Sequence, residues 1–556
     1  MKRFLPVLIS LSMLLCSCAK SESARFSDLI NAEYKEKILD DAFFFNREIS
    51  QKGKFSDEEI PMELKKISVL SKEEAQQLYS EKLSALEQFN FDELSDDEKI
   101  TYLILKREYE MKISGAGYAL YDEILDENSG AHITLFNSLC DYKIEKESDA
   151  KAYLSLYADA GNYIDSITEF EKKRAESGLF MTREDCETVI DDCIKISENP
   201  ERMLIAFEKK VNALDIDESQ KTALKEENKR LTKEVFSPSY KKLADNLSKL
   251  KSKCRANDYI SSMPDGKGYY EHRLSEIYGK DISAKEVISM LEGDIERYES
   301  LFLSTASSFP EIFYEDNFGI EYGYASAEEI MPDFIKKGSE HFPLLDEFCP
   351  EISYTSILKA PVVTENSGID STTPVKAKIS TVYPLPELFG CISSEIFPGK
   401  AYREWYFKKN APDNMWIIFK NEAYEKGWEM YSRYEMNRII LGNKPSTTLL
   451  NSNSVFWTAV ICRVDIGVNY EGWGEKEVDA FFEEHNISLT LSEYYYNLAL
   501  QKPFLYMADF IGFHEIMSLK EEIKAIQGRE FDEKAFNEMI MKSGSVPFDL
   551  LKDSIN

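Results

Sequence analysis

The chain has 556 residues, of which 43% are hydrophobic and 12% aromatic, so it can bury a large core. Lys and Arg number 67 and Asp and Glu number 99, which gives a formal net charge of −32 at pH 7. So acidic a surface repels phosphate, which disfavours nucleic-acid partners. The composition also excludes a disordered chain, a collagen and a polytopic membrane protein.

The N-terminal residues have the pattern of an export signal. A basic start precedes a short apolar run over residues 4–15, which is too short to span a membrane as a finished helix. The run ends in Leu15-Cys16-Ser17-Cys18, which resembles a bacterial lipobox because the small Ser17 precedes Cys18. We predict a lipoprotein signal peptide at 1–17, a lipidated Cys18 and a polar tether over 18–25. The alternative is an ordinary secretory signal with incidental cysteines. We expect the remaining chain on the extracytoplasmic face of the membrane, anchored at Cys18.

The body of the chain, residues 26–556, has the periodicity of a mainly α protein. Apolar residues recur three or four apart within charged surroundings, which is typical of amphipathic helices. Ser283 and Glu286 form a capping-box pattern that predicts a helix start. Periodicity is lost near 350–383, where Thr, Val, Ser and Pro predict short strands or extended loops. Because no clean linker is visible, we predict one helical domain with an N-terminal lobe at 26–260 and a C-terminal lobe at 261–556.

Cysteine and histidine usage does not indicate a metal framework. Beyond the lipobox the chain has seven cysteines, an odd number, and none of them forms a CxxC pair. They are typical of small buried residues rather than of a disulfide or zinc scaffold. The five histidines include no two at metal-ligand spacing. The cysteines are Cys140, Cys186, Cys193, Cys254, Cys349, Cys391 and Cys462.

One segment, from residue 394 to residue 431, predicts a pocket between two helices. Pro398 removes a backbone N–H, so Pro398-Gly399 should kink or bulge the first helix and re-aim its side chains. A turn near Pro412 should make the two helices antiparallel. Lys400 and Lys426 lie at similar separations from that turn, so we expect them to be near neighbours across the helical pair.

At this segment the sequence resembles the domain of unknown function 885 family of bacterial, mostly exported, zincin-like proteins. The family pattern is His-Glu-Gly-Tyr-Pro-Gly-His-x-x-Gln, then Tyr-x-Glu-Gly-Trp-x-x-Tyr, then Asp-x-Gly-Ile-His-Tyr-x-Gly-Trp. The matching stretches here are 394–403, 424–431 and 465–473, within a resemblance that runs from about 118 to 555. It implies a two-lobed, gluzincin-type helical body around a cleft, with zinc held by the two His and the Glu of the second stretch.

This chain departs from the family pattern at each presumed metal ligand. Ser394 and Lys400 stand at the two His positions, and Lys426 stands at the Glu position. Two ammonium groups would repel a dication, and Ser is a poor zinc ligand. We therefore expect neither a metal nor any other cofactor at this site. Glu395 alone is retained, at the position of the presumed general base. Arg403 replaces the Gln and Asn469, which precedes Tyr470, replaces the later His.

These departures predict a degenerate peptidase-like site. We expect a catalytically inactive lipoprotein whose pocket, formed by Ser394, Lys400, Arg403, Lys426, Asn469 and Tyr470 around Glu395, binds a peptide, a protein or an anionic ligand. Glu395 is expected to bridge Lys400 and Lys426. Three alternatives stay open. The site could be filled with salt bridges and vestigial, it could be a metal-independent hydrolase using Glu395 with Lys400 or Lys426, or metal ligands could come from elsewhere in an active peptidase.

Overall fold

The computed structural model describes residues 20–56, 59–127, 129–256, 259–345, 347–365, 368–369, 374–412 and 414–553. The predicted signal peptide at 1–17 and the anchor at Cys18 lie outside the described residues. Residues 22–25, which we expected in the tether, form the first turn of a helix with Ser21 as its N-cap. Among the described helices, none combines the length and the apolar composition that crossing a membrane requires.

The prediction of a mainly α protein with a small β element is confirmed. The helices are α1 (Glu22–Leu39), α2 (Ala42–Glu48), α3 (Lys72–Leu86), α4 (Asp96–Ser114), α5 (Ala131–Asp141), α6 (Glu147–Ala158), α7 (Ala160–Glu176), α8 (Arg183–Glu198), α9 (Glu201–Asn212), α10 (Glu218–Leu231), α11 (Ser237–Leu250), α12 (Gly266–Tyr278), α13 (Ala284–Ser308), α14 (Pro310–Phe313), α15 (Ile330–Gly338), α16 (Leu385–Glu395), α17 (Lys400–Asn410), α18 (Asn414–Ile418), α19 (Glu422–Leu441), α20 (Pro445–Ile466), α21 (Glu475–Glu484), α22 (Ser492–Gln501), α23 (Met507–Gln527), α24 (Glu533–Ser543) and α25 (Phe548–Asp553). Two π-helical segments, Thr232–Phe236 and Gly467–Glu471, follow α10 and α20 directly.

The chain divides into two compact units. Unit 1 comprises the described parts of residues 1–93, 112–258 and 368–371, and unit 2 comprises those of 94–111, 259–367 and 372–556. The main boundary, at 258/259, is close to the position 260 that we predicted between the lobes. Residues 94–111, which we placed in the N-terminal lobe, belong to unit 2. The boundary falls between α11, which ends at Leu250, and α12, which begins at Gly266.

The β element lies in unit 2, within the segment where helical periodicity is lost. Its strands are β1 (Glu351–Thr355), β2 (Val362–Glu365) and β3 (Lys376–Ser380), in the order β1-β3-β2. Strand β3 pairs parallel with β1 and antiparallel with β2. Along β3, Ala377 and Ile379 are buried whereas Lys376 and Lys378 are exposed, so one face of the sheet covers the core and the other faces solvent.

The helix start predicted at Ser283 is confirmed. Ser283 is the N-cap of α13, its hydroxyl accepts from the backbone N–H of Glu286, and the Glu286 carboxylate accepts from the Ser283 N–H. Each bond satisfies a donor that the first helical turn would leave unpaired. Helix α13 then packs along α20 in the core of unit 2.

Helices α19 and α23 of unit 2 cross in close contact at two glycines. A Cβ atom on Gly512 would lie 1.6 Å from the carbonyl oxygen of Ala423, and one on Gly427 would lie 2.3 Å from the Cα of Gly512. The two backbones therefore touch without intervening side chains. Further along the same pair, Lys520 of α23 binds Glu435 of α19 (2.8 Å) and Glu533 of α24 (2.7 Å).

We predict that Gly512→Ala destabilises the protein by about 3 kcal/mol or more, because the methyl group must separate two helices that are in backbone contact. Gly293→Ala is the matched control, since Gly293 lies inside α13 with open space around it. That substitution should be neutral or stabilising by about 0.5–1 kcal/mol. Urea denaturation followed by circular dichroism measures both, and similar effects of the two substitutions would contradict the crossing.

Candidate functional site

The helix that carries Ser394 and Glu395 is interrupted at Pro398-Gly399, where we predicted a kink or bulge. Helix α16 ends at Glu395 and α17 begins at Lys400. Gly399 is required at the break, because a Cβ there would lie 1.9 Å from the carbonyl oxygen of Ser394. The fully buried Trp428 of α19 donates its indole N–H to the carbonyl of Pro398 (3.0 Å). This bond ties the break to the helix that carries Lys426.

Glu429, which the sequence analysis did not single out, is the centre of the charged cluster. Its carboxylate accepts from the Lys426 ammonium (2.8 Å) and is nearly buried, with 7% of the residue exposed. Glu395 and Lys400 both interact electrostatically with Glu429. Burial raises the pKa of Glu429, Lys426 and Lys400 oppose that effect, and the negative charge of Glu395 adds to it. Three of the predicted site residues thus converge around a carboxylate that we had not assigned.

The expectation that Glu395 bridges the two lysines is wrong for Lys426. Lys426 forms its ion pair with Glu429, three residues further along the same helix, because one helical turn brings the two side chains together. Among the residues that the structure describes, neither Glu395 nor Lys400 forms an ion pair with another side chain. Both are partly exposed. The cluster therefore has two halves. In the paired half, Lys426 and Glu429 form an ion pair with each other; the unpaired half consists of Glu395 and Lys400, neither of which forms one among the described residues.

A third carboxylate, Asp509 of α23, also acts on Lys426. Burial raises the pKa of Asp509, and the Lys426 charge opposes this. At Lys426, burial lowers the pKa, but Glu429, Asp509 and Glu395 outweigh it, so the net pKa is raised and the ammonium stays charged at neutral pH. Asp509 lies one turn before Gly512, so the close glycine crossing brings it to Lys426. No sequence signal could have found it, because some eighty residues of chain separate the two.

Ser394 and Arg403 are engaged by the protein itself. The Ser394 hydroxyl donates to the carbonyl of Gly390 (3.1 Å), within its own helix. Arg403 is 4% exposed, with its guanidinium 5.1 Å from the centre of the Tyr424 ring and within 4.0 Å of Glu425. Arg403 thus packs between α17 and α19 and is almost inaccessible to solvent.

Asn469 and Tyr470 make their polar contacts in a different set of residues. They lie in the π-helical segment after α20. Asn469 is fully buried, and its amide donates to Asp465 (2.7 Å) and to the carbonyl of Ala499 (2.8 Å). Tyr470 donates to Glu271 (2.9 Å). Within the described part of the chain, no hydrogen bond or ion pair connects this pair to Lys426 or Glu429. The predicted placement of Asn469 in a ligand pocket is not supported, because its side chain is saturated and inaccessible.

The side chains at the three presumed metal-ligand positions do not fit zinc. The Ser394 hydroxyl donates a hydrogen bond to a backbone carbonyl. Lys400 and Lys426 carry ammonium groups, which have no lone pair to donate to a metal. Across residues 20–553, apart from the short gaps in the described ranges, no group of three or more His, Cys, Asp and Glu is placed to hold a metal ion. The carboxylates near Lys426 are compensated by lysine instead.

Removing the Lys426 ammonium should leave Glu429 buried without its hydrogen-bonded cation. We predict that Lys426→Met costs about 1–3 kcal/mol of unfolding free energy. The double variant Lys426→Met with Glu429→Gln should lose less than the sum of the single effects, with a coupling of about 1 kcal/mol. Urea titration of the wild type, both single variants and the double variant measures the coupling. Additive losses would show that the ion pair contributes nothing.

Two solved structures share this fold across nearly their whole length. One is a predicted lipoprotein from Colwellia psychrerythraea, with a TM-score of 0.73, 18% identity and coverage of 96% of this chain and 99% of that one. The other is a predicted lipoprotein of unknown function from Shewanella oneidensis, with a TM-score of 0.68, 15% identity and coverage of 97% and 100%. No curated protein matches the chain. At these identities the comparison establishes the fold alone.

The fold and the site together define a mainly α protein with a helix break at Pro398-Gly399 beside a charged cluster. The profile of one protein family matches residues 53–316 and 383–555, which is most of the chain. The protein belongs to this family, the bacterial proteins of unknown function called DUF885. The resemblance inferred from the stretches 394–403, 424–431 and 465–473 is thereby confirmed.

Proposed function

We propose that this protein is a lipid-anchored extracytoplasmic lipoprotein with a degenerate, metal-free peptidase-like site that binds a peptide through its terminal carboxylate. The observation that carries the proposal is the unpaired half of the charged cluster. Lys400 and Glu395 are partly exposed and without ion pairs among the described residues, whereas Lys426 and Glu429 satisfy each other. A ligand carboxylate is the natural partner of the Lys400 ammonium.

The position of Lys400 supports this role. It is the first residue of α17, where backbone N–H groups lack helical partners and the helix dipole favours an anion. The Glu395 carboxylate, at the end of α16, is available for a cationic or N–H group of the same ligand. An acidic ligand without donors would be repelled by Glu395, and a purely cationic one by Lys400. A peptide satisfies both groups.

The anchoring at Cys18 rests on the sequence pattern and on the lipoprotein assignments of the two structural relatives. Cys18→Ser should move the protein from the membrane fraction to the soluble extracytoplasmic fraction, because the acceptor thiol is lost. Cys16→Ser is the matched control and should leave the protein in the membrane fraction. Fractionation followed by immunoblotting measures both, and release by Cys16→Ser alone would move the anchor to Cys16.

The proposed loss of the metal site predicts that the purified protein retains far less than one equivalent of zinc after dialysis. The triple variant Ser394→His, Lys400→His, Lys426→Glu should instead retain about one equivalent, because three neutral or anionic donors then replace a hydroxyl and two cations. Metal analysis by mass spectrometry compares the two proteins. About one equivalent of tightly held zinc in the wild type, removed by a chelator together with peptidase activity, would overturn the proposal.

The binding role of Lys400 predicts a preference for free carboxyl termini. Peptides with a free C-terminus should bind at least tenfold more tightly than the same peptides amidated, since a charge-assisted hydrogen bond contributes about 1.5–3 kcal/mol. Lys400→Met should abolish this preference. Lys285→Met, an exposed lysine of α13, is the control and should preserve it. Fluorescence anisotropy with a labelled peptide library measures the ratio.

Two outcomes would favour the other functions. Chelator-resistant turnover of a peptide that disappears in Glu395→Gln would identify a metal-independent hydrolase. Equal, weak binding of free and amidated peptides by the wild type and by Lys400→Met would indicate that the site is vestigial.

A further inference from the structure

Two cysteines of unit 1 are brought together where the chain returns from α11 to the start of α8. Cys186 lies in the first turn of α8, and Cys254 lies just beyond the end of α11. The returning chain is fixed beside α8 by a parallel β-bridge between Thr182 and Arg255. Cys186 is one helical turn after Thr182, and Cys254 directly precedes Arg255, so the bridge brings the two cysteines close together.

Side-chain and backbone bonds of Arg255 hold this return in place. Its backbone N–H donates to the carbonyl of Met181 (3.2 Å), and its Nε donates to the carbonyl of Phe180 (2.8 Å). The same Arg255 guanidinium also donates to the Glu123 carboxylate (2.7 Å). The register of Cys254 against α8 is therefore set by three independent bonds rather than by a loose loop.

The two thiols are neighbours of unequal accessibility. Cys186 is fully buried, with its Sγ 3.9 Å from the carbonyl oxygen of Leu247, and Cys254 is partly exposed. The thiols interact with each other, and each alters the ionisation of the other. Burial, with a contribution from Cys254, raises the pKa of Cys186 to about 12. Both are free thiols in this structure.

We propose that Cys186 and Cys254 are a redox pair that forms a disulfide when the protein meets a disulfide-bearing oxidant. The geometry assigns the order of the two steps, because a dissolved oxidant can reach the partly exposed Cys254 but not the buried Cys186. The accessible Cys254 thiolate attacks one sulfur of the oxidant, forms a mixed disulfide and releases one thiol. The buried Cys186 then attacks the Cys254 sulfur, and the second thiol leaves. Two electrons and two protons pass to the oxidant, which ends as two thiols.

The bond has a structural consequence that fits an exported protein. It would join the start of α8 to the chain after α11 and so close α8 to α11 into a covalent loop, which restricts the unfolded chain. Disulfides persist in the oxidising extracytoplasmic environment that we propose for this protein. The sequence pattern did not indicate this pair, because the two cysteines are far apart in the chain and are brought together by the Thr182–Arg255 bridge and the hydrogen bonds of Arg255.

The experiment uses the purified full chain, incubated with oxidised or with reduced glutathione, then denatured, alkylated and digested. After oxidation, mass spectrometry should find a peptide pair linked through Cys186 and Cys254 and a loss of about 2 Da from the reduced chain, the two thiol hydrogens. The midpoint of thermal unfolding should rise by roughly 5–10 °C. Formation should accelerate as the pH rises, since the buried Cys186 must ionise to resolve the mixed disulfide.

Two variants sharpen the test. Cys254→Ser, at a partly exposed position, should leave Cys186 unlinked and remove the thermal shift. Cys349→Ser is the control, because Cys349 is exposed and outside the pair, and it should leave the link and the shift intact. A glutathione adduct that persists on Cys254 while Cys186 stays free would overturn the proposal. Because the oxidant is glutathione and no peptide is present, such a failure leaves the proposed function untouched.

Discussion

The close crossing of α19 and α23 is the constraint on which the charged site depends. Gly427 and Gly512 allow the two backbones to touch, and no other residue fits either position. Lys426 directly precedes one glycine, and Asp509 lies one turn before the other, so the crossing places a cation of one helix against a carboxylate of the next. Trp428, the residue after Gly427, donates its indole N–H to the carbonyl of Pro398 at the helix break. Three consecutive residues of α19 thus have different roles. Lys426 supplies the positive charge, Gly427 allows the helix crossing, and Trp428 binds the helix break.

Electrostatics explains why lysines can replace a metal in such a site. Buried carboxylates need a compensating positive charge, whether it comes from an ion or from a side chain. Here the nearly buried Glu429 takes the Lys426 ammonium, and the raised pKa of Lys426 keeps that ammonium charged. A side-chain cation is part of the fold, unlike a metal that must be captured from solution. In the metal-free site that we propose, this fixed ion pair takes the place of a Lewis acid.

The division of the cluster into a paired and an unpaired half separates a stabilising ion pair from the two residues to which we assign binding in our proposal. Lys426 and Glu429 belong to one helix and satisfy each other at short range. Glu395 and Lys400 flank the break between α16 and α17, where the interrupted backbone leaves both side chains partly exposed. In this interpretation Arg403 and Asn469, which sequence matching placed in the pocket, are interior supports. Arg403 packs on Tyr424, and Asn469 of the π-helical segment donates to Asp465 of α20 and to the carbonyl of Ala499 in α22.

The amino-acid sequence determined the helical class, the start of α13 at Ser283, the non-helical stretch that became the sheet and the interruption at Pro398-Gly399. Each of these depends on local propensity, capping or a missing N–H, which neighbouring residues decide. The tertiary structure alone decided that Asp509 joins Lys426 and Glu429 and that Cys254 meets Cys186. Those contacts depend on which backbones approach closely and which side chains reach across. A periodic pattern predicts which face of a helix is apolar, but it does not predict which distant helix will cover that face.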